Sequence, residues 1–333
     1  MSNLVIKTDG DPFPALAGES LVPVEAEGII IGDPINNGGT RSFTDTSTGF
    51  SAIQDQVPEK EYTINYRAGD RDVYVDPVGE YVQNNTPVGV AINGAVIYSP
   101  NSKFKRISVN DATETRNSGA FTFDVGNQSE NSLLDTCGGK PEISGEYRYR
   151  NGRFCYKGFN DPNSAYSNTR FINSSTYFSS TSFGSDPLRH PSIEHDNTTF
   201  TAGHSKIIGW SLDGYPIYGP FGYQNPLDPT SSVVLMRSTY VLKSAEALAN
   251  MANRPLGDAR GTYVEDYTID FNVANSLDEF NGRYCITPDY KEGTYAYFLT
   301  FSDESTDESP ATAPRTAAYP YVIGPRTKQP TSY

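Results

Sequence analysis

Histidine, cysteine, methionine and tryptophan are scarce in this chain, with 3 His, 3 Cys, 3 Met and 1 Trp among 333 residues. Three cysteines (Cys137, Cys155 and Cys285) make no disulfide-rich framework. Cys137 and Cys155 are able to pair and leave Cys285 free, but in a reducing compartment all three are thiols. Basic residues are also short, 26 against 40 acidic ones, for a net charge of −14. That balance argues against nucleic acid and anionic membrane as partners, because both need a basic surface. No apolar run reaches spanning length, so no membrane partner is expected. The first nine residues have no basic n-region and no apolar h-region, so secretion is not expected. Also missing are a G-x-S-x-G elbow, a phosphate-binding loop and a H-E-x-x-H helix.

What is abundant is tyrosine, phenylalanine, glycine and proline, at 23, 17, 29 and 23 residues. Aromatic residues favour pleated, half-buried surfaces, and breakers spread along the chain suit many short strands and turns. The expected fold is therefore mainly β, a two-lobed β sandwich or barrel-like domain. Tyr62, Ile64 and Tyr66 alternate with polar residues, as do Phe121, Phe123 and Val125. One short helix is predicted over 244–253, capped by Ser244 and striped by Ala245, Leu248, Ala249 and Ala252. Residues 1–55 read as an N-terminal arm or small subdomain with one apolar strand, Gly28-Ile29-Ile30-Ile31-Gly32. Residues 56–330 form the β domain.

The chain resembles itself. Gly89-Val90-Ala91-Ile92-Asn93-Gly94-Ala95-Val96-Ile97-Tyr98 matches Gly209-Trp210-Ser211-Leu212-Asp213-Gly214-Tyr215-Pro216-Ile217-Tyr218 at four identical positions, with Ile/Leu and Asn/Asp swaps besides. Asn-Gly and Asp-Gly between apolar runs predict a type I′ hairpin with both central residues at positive φ. Gly145-Glu146-Tyr147-Arg148-Tyr149 and Gly293-Thr294-Tyr295-Ala296-Tyr297 repeat in the same order, which points to two lobes made by duplication. A third echo, Asn151-Gly152-Arg153 against Asn281-Gly282-Arg283, breaks that order and reads as a recurrent turn.

The segment from Gly203-His204-Ser205 to Asp213-Gly214-Tyr215-Pro216-Ile217-Tyr218-Gly219 resembles the signature of YHYH-domain proteins. Cys137-Gly138-Gly139-Lys140-Pro141, Tyr147-Arg148-Tyr149-Arg150, Leu277-Asp278-Glu279-Phe280-Asn281-Gly282-Arg283-Tyr284, Thr287-Pro288-Asp289-Tyr290 and Tyr319-Pro320-Tyr321-Val322-Ile323-Gly324 extend the likeness over roughly residues 60–325. Where the family has Tyr-His-Tyr-His, this chain has Tyr147-Arg148-Tyr149-Arg150, and Lys140 stands where Gly-Gly-His is frequent. Arginine and protonated lysine have no lone pair for a metal. The resemblance thus implies a retained scaffold whose binding residues are His204, Asp213, Tyr215, Tyr218, Tyr147, Tyr149, Tyr295 and Tyr297.

His190, His195 and His204, with Asp196 between them, are the candidate metal ligands, and Asp213 a candidate for orienting a ring. Their spacing matches no compact metal motif, and Asp196-Asn197-Thr198-Thr199 reads as loop. The preferred reading makes His190 and His195 exposed loop residues and His204 a core histidine bonded to backbone. No catalytic residue and no cofactor are expected; a transition metal, or calcium at the acidic run 302–309, is the minor alternative. Asp213 as a general acid or base lacks a nameable partner. The cluster Tyr215, Tyr218, Tyr223, Tyr295 and Tyr297 suits either a sugar platform or ordinary strand packing.

Proteins resembling this family occur in tailed-phage virions, so the expectation is a non-catalytic virion structural protein of tail, baseplate or capsid surface. It would be made in the host cytoplasm, docked to other virion proteins through its N-terminal arm, and homo-oligomeric. The alternative is a metal-dependent or carbohydrate-binding module, with hydrolase activity as its extreme form.

Overall fold

The computed structural model describes residues 3–8, 60–65, 67, 86–92, 94–105, 121–124, 138–141, 147–152, 155–157, 169–171, 188–252, 254–255, 259–301 and 317–331. In the first half these hold β1 (Asn3–Thr8), β2 (Lys60–Asn65), β3 (Pro87–Ala91), β4 (Val96–Tyr98), β5 (Asn101–Lys105) and β6 (Phe121–Asp124). Then come β7 (Gly139–Pro141), β8 (Tyr147–Tyr149), β9 (Cys155–Lys157), β10 (Thr169–Phe171), β11 (Ile193–His195) and β12 (Thr198–Phe200). The second half adds β13 (Ile207–Ser211), β14 (Pro216–Tyr218), β15 (Phe221–Tyr223), β16 (Val233–Leu235) and β17 (Tyr240–Leu242). After a short helix, β18 (Tyr267–Ile269), β19 (Gly282–Cys285) and β20 (Thr294–Phe298) close the series. The fold is mainly β, as the composition implied. Among the described residues no sheet closes into a barrel, and none of the helices is long and apolar enough to cross a membrane.

The centre is one eight-stranded sheet in the order β19-β20-β14-β13-β3-β4-β8-β7. Read outward from its middle, each half repeats the other. A hairpin (β3-β4 or β13-β14) is joined by a parallel strand (β8 or β20) and then by an antiparallel edge (β7 or β19). The two hairpins meet antiparallel, with Trp210 opposite Val90, Gly209 opposite Ala91 and Ser211 opposite Gly89. That register puts a pseudo-two-fold axis, perpendicular to the sheet, between Val90 and Trp210. Hydrogen bonds obey it: Ile92 N–H donates to the Ile208 carbonyl at 2.9 Å, and Leu212 N–H to the Val88 carbonyl at 2.9 Å. Both hairpins shift register at the same place, Pro87/Gly89 and Ile207/Gly209. So the two lobes are halves of a single sheet.

The glycines at those shifts have a steric reason. A Cβ on Gly89 would stand 2.7 Å from the Trp210 carbonyl oxygen, and one on Gly209 would stand 2.8 Å from that of Val90. Close backbone approach is a recurrent use of glycine inside strands. The edge strands match too: Gly138 (φ 74) has Asn281 (φ 68) as its counterpart, and their carbonyls accept from Arg150 N–H and Phe298 N–H at 2.9 and 3.3 Å. The partner of Gly282-Arg283 is therefore Gly139-Lys140, and the Asn151-Gly152-Arg153 echo is no structural equivalent.

Three expectations need correction. The turn at Ser211–Gly214 is a type I turn followed by a left-handed glycine, because Gly214 has φ 97 and Asp213 is not in the positive-φ region. Gly214 N–H donates to the Ser211 carbonyl, and Ser211 N–H to the Tyr215 carbonyl, at 3.0 and 2.9 Å. This is the three-residue hairpin loop with a glycine bulge. A type I′ hairpin exists elsewhere: Asp196 (φ 49) and Asn197 (φ 62) join β11 to β12, where a loop was expected. The helix spans only Ala245–Ala249, since Leu248 alone of its stripe is buried; Ser244 caps it by accepting from Ala247 N–H at 3.1 Å.

Alternation sorts side chains to the two sheet faces. One face carries Ile97, Tyr149, Ile217, Tyr295 and Tyr297 into the main core, with Phe280, Leu299, Tyr319 and Ile323. The opposite face carries two smaller clusters. Tyr98, Val90, Val96 and Leu212 pack with Tyr62 of β2, and Tyr218, Ala296 and Phe298 pack with Met236, Leu277 and Cys285. Burying each such side chain contributes about 1.5–3 kcal/mol. Strand β1 pairs with β2 along its length, Asn3 opposite Asn65 and Thr8 opposite Lys60. Residues 9–59, including the expected apolar strand 28–32 and most of the arm, lie outside the described residues, as do Cys137 and the acidic run 302–309.

Candidate functional site

The family-motif residues divide between the two faces. Asp213 sits at the hairpin turn, 1% exposed, with three donors on its carboxylate. Ser211 Oγ donates to Oδ1. Tyr297 O–H and Gln329 N–H both donate to Oδ2, at 2.6 and 3.1 Å. The Tyr297 oxygen accepts Lys328 N–H in turn at 2.7 Å. Burial pushes the Asp213 carboxyl above its ordinary range, opposed by the Ser211 and Tyr297 hydrogen bonds. One carboxyl thus ties a hairpin, a core strand and the C-terminal segment together. Tyr215 packs edge-on against Tyr295 at 5.1 Å, and Tyr295 against Tyr297 at 5.3 Å.

Tyr295 repeats the device one strand further out. Its hydroxyl crosses Gly282 to reach Asp278, 3.0 Å from each carboxyl oxygen. Phe280 and Gly282 N–H groups donate to the same carboxyl at 3.0 Å. Burial raises Asp278 to about 6, offset by those bonds. A third instance is Asp124, wholly buried, which accepts from Tyr321 O–H at 2.7 and 2.8 Å and from Tyr267 O–H at 2.9 Å.

His204 and Tyr218 belong to the opposite face. His204 is fully buried and edge-on to Tyr218 at 5.2 Å, with Tyr223 and Phe298 at 4.9 and 6.0 Å. Its Nδ1 donates to the Ser205 carbonyl at 2.7 Å, which assigns the proton to Nδ1. Nε2 is buried with no hydrogen-bond partner among the described residues. Burial holds the ring near 3, well below its usual value, so it is neutral at pH 7. Nearby, Asp289 accepts from Tyr218 O–H at 3.0 Å and from His190 Nε2 at 3.2 Å. Thr287 shares the Tyr218 oxygen at 2.9 Å. Burial pushes Asp289 up, but the His190 and Tyr218 hydrogen bonds prevail and hold it below its usual range.

The three histidines do not act as one set. His190 and His204 lie on paired backbone, His190 N–H donating to the His204 carbonyl at 2.8 Å. His195 instead contacts Asp196 at 2.6 Å on the exposed hairpin. His190 is not the exposed loop residue expected, because its side chain is 13% exposed and bonded to Asp289. Among the described residues no three His, Cys, Asp or Glu side chains gather as metal ligands would. Cys285 is a buried free thiol. The five tyrosines of the sugar-platform reading, Tyr215, Tyr218, Tyr223, Tyr295 and Tyr297, are interior, none more than 1% exposed, and offer no ring face to a sugar.

The remaining motif residues lie on β8. Tyr149 enters the main core, beside Ile97 in register. Tyr147 occupies the counterpart position of Tyr295, opposite Pro141. Arg148 and Arg150 alternate onto the other face, their guanidinium carbons 4.1 and 5.1 Å from the Tyr98 ring centroid.

Sequence reasoning singled out neither Asp289, Thr287, Asp278 nor Asp124 as site residues. Asp289 is 71 residues from Tyr218, and Asp124 is 197 from Tyr321, so no local pattern couples them. The available signal was the family-like strings Thr287-Pro288-Asp289-Tyr290 and Leu277-Asp278, whose carboxylates have now found their tyrosines.

No curated protein and no solved structure matches this chain. The family model described as YHYH protein matches residues 76–308, a span that takes in both hairpins, β8, the His204 segment and β20. Since that match exceeds half of the chain and covers both halves of the duplicated sheet, the chain belongs to the YHYH family.

Proposed function

We propose that this chain is a non-catalytic structural protein of a tailed-phage virion, a component of tail, baseplate or capsid surface. The observation that supports it is the use of the motif's polar groups. Tyr297, Tyr295, Tyr218 and Tyr321 each donate to an aspartate (Asp213, Asp278, Asp289 and Asp124) and so cross-link separate stretches of chain. A general acid or base must reach its substrate, whereas Asp213 and Asp124 are sealed inside with tyrosine hydroxyls on them. Charge-assisted bonds of this kind contribute about 1.5–3 kcal/mol each, which suits a rigid particle component. The Tyr147-Arg148-Tyr149-Arg150 sequence, where the family name implies histidines, accords with a scaffold freed from metal chemistry. Partners on this reading are other virion proteins and further copies of the chain, with the N-terminal arm as the docking element.

The test is mass spectrometry and immunogold labelling of density-banded particles from the source culture. Stoichiometric presence in particles, with label at a fixed structural location, is the expected result. A chain confined to the soluble fraction would overturn the proposal.

One observation favours the rival metal-module reading: the buried, unprotonated Nε2 of His204 beside His190 and Asp289. Elemental analysis of EDTA-washed and metal-reconstituted protein, with His204→Ala alongside, decides it. A stoichiometric transition metal lost in the variant would favour the rival.

A further inference from the structure

The ribbon of β17 and β18 has an open outer edge. Lys243 N–H donates to the Asp266 carbonyl and Asp270 N–H to the Thr239 carbonyl, at 2.9 and 2.8 Å. Val241 stands opposite Thr268 between those two pairs. Hydrogen-bonded and non-hydrogen-bonded pairs alternate along an antiparallel ladder, so the N–H and C=O of Ile269 and the C=O of Tyr267 point away from β17. Tyr267 N–H is spent on the Val264 carbonyl. Strand β18 pairs only with β17 among the described residues. The outward groups of Tyr267 and Ile269, and the N–H of Phe271 beyond them, have no hydrogen-bond partner there.

Proteins blunt such edges with lysine, proline, a bulge or a covering segment. Tyr267-Thr268-Ile269-Asp270-Phe271 contains neither lysine nor proline, and its register with β17 is unbroken. It is also uncovered. Five large apolar side chains are exposed among the described residues, and Leu242, Ile269 and Phe271 of this ribbon are three of them, with Phe271 at 63%. Apolar exposure gathered in one place marks an interaction surface.

The free groups are complementary to themselves. When two copies of this edge lie antiparallel about Ile269, each Ile269 N–H meets the Ile269 carbonyl of the other copy, and each Phe271 N–H meets the other Tyr267 carbonyl. The same register brings the two Ile269 side chains together and sets each Phe271 against a Tyr267 that is already backed by Tyr319 at 4.4 Å. On the other face Asp270 falls opposite Thr268, so the single charge of the segment never opposes itself. A centre at Thr268 or Asp270 would present groups already spent on β17.

We propose that this edge joins two copies of the chain into a two-fold dimer, β18 against β18, making one four-stranded sheet. Such an interface is isologous, the same patch serving both subunits, and the added strand is held by main-chain bonds. This surface is separate from the N-terminal arm, and the pairing does not depend on the virion reading.

The test uses the full chain in solution. Sedimentation velocity over a dilution series from about 1 to about 200 µM, a range suited to weak and moderate association, should show a monomer–dimer equilibrium. Ile269→Lys and Ile269→Glu each place two like charges face to face at the centre, and each should weaken association about tenfold or more. Mixed in equal amounts, the two variants should pair again, because a register with position 269 opposite itself sets lysine against glutamate. Hydrogen exchange on the wild type serves if a variant fails to fold: the amides of Ile269 and Phe271 should gain protection as concentration rises. A wild type that stays monomeric, folded variants that dimerise like the wild type, a mixture that does not recover, or exchange at 269 and 271 indifferent to concentration would each overturn the proposal.

Discussion

Tyr297→Phe removes one oxygen from the centre of the sheet and leaves the ring in place. That oxygen donates to the buried Asp213 Oδ2 at 2.6 Å and accepts the N–H of half-buried Lys328 at 2.7 Å. A hydrogen bond to a carboxyl contributes about 1.5–3 kcal/mol, and loss of the bond to a half-buried N–H adds about 1 kcal/mol. The edge-on packing of ring 297 on Tyr295 survives, and Gln329 N–H still reaches Oδ2. The net destabilisation should therefore be about 2–4 kcal/mol. Urea unfolding measures it, read by Trp210, the single tryptophan, which stands on β13 at the junction of the two lobes. Hydrogen exchange supplies a local check, since the amide of Lys328 should lose protection before those of β20. A cycle with Asp213→Asn should return a coupling of about 1–2 kcal/mol. A loss under about 0.5 kcal/mol, or additive behaviour of the two substitutions, would refute the claim that this carboxyl–tyrosine pair fastens the C-terminal segment to the hairpin.

Two buried groups give opposite pH dependences. His204 has its folded pKa near 3, below the ordinary 6.5, so its contribution is present above pH 6.5 and is lost as pH falls toward 3. His204→Asn, which keeps a side-chain N–H for the Ser205 carbonyl, should flatten that acid limb by on the order of 4 kcal/mol in urea titrations across this range. Asp278 is raised to about 6 from 3.8, so its contribution is present below pH 3.8 and disappears as pH rises through 6. Asp278→Asn should gain on the wild type by on the order of 2–3 kcal/mol between pH 4 and 7, and a flat difference would refute the assignment. Gly209→Ala drives a Cβ to 2.8 Å from the Val90 carbonyl and 3.2 Å from the Ala91 Cα. Because those atoms are backbone, a loss of about 2–3 kcal/mol is expected in urea melts, and Gly89→Ala should match it.

Much of the sheet was legible because strand physics is local. The Gly89–Tyr98 and Gly209–Tyr218 repeat located both hairpins, and the Tyr147/Tyr295 repeat located the parallel strands that flank them. The turn type was not legible, since Asp-Gly serves a type I′ turn and a type I turn with a glycine bulge equally well. The register shift at Gly209 is a property of paired strands, invisible in one segment. Face assignment failed for a related reason. Alternation says that Tyr295 and Tyr297 share a side, but only the neighbouring strand decides that Tyr218 and His204 look the other way. The acidic partners of the tyrosines were hidden by distance along the chain, as Asp289 and Tyr218 show.

The duplication separates what the backbone demands from what the chain adds. Positions identical or equivalent in both lobes answer to geometry: Gly89 and Gly209 at the closest approach of strands, Gly94 and Gly214 at positive φ, Gly138 and Asn281 at the edge. Ile97 and Ile217, with Tyr149 and Tyr297 beside them, answer to the shared core. Positions that differ escaped that demand, and several of them lie on the face opposite the main core. There lobe two holds Phe298, Tyr223 and neutral His204 around Tyr218, while lobe one holds two arginines on Tyr98. At the same backbone positions lobe two covers its tyrosine with the Phe298 ring and lobe one covers Tyr98 with guanidinium groups, so the sheet geometry fixes the tyrosine and leaves the chemistry of its cover to the rest of each lobe.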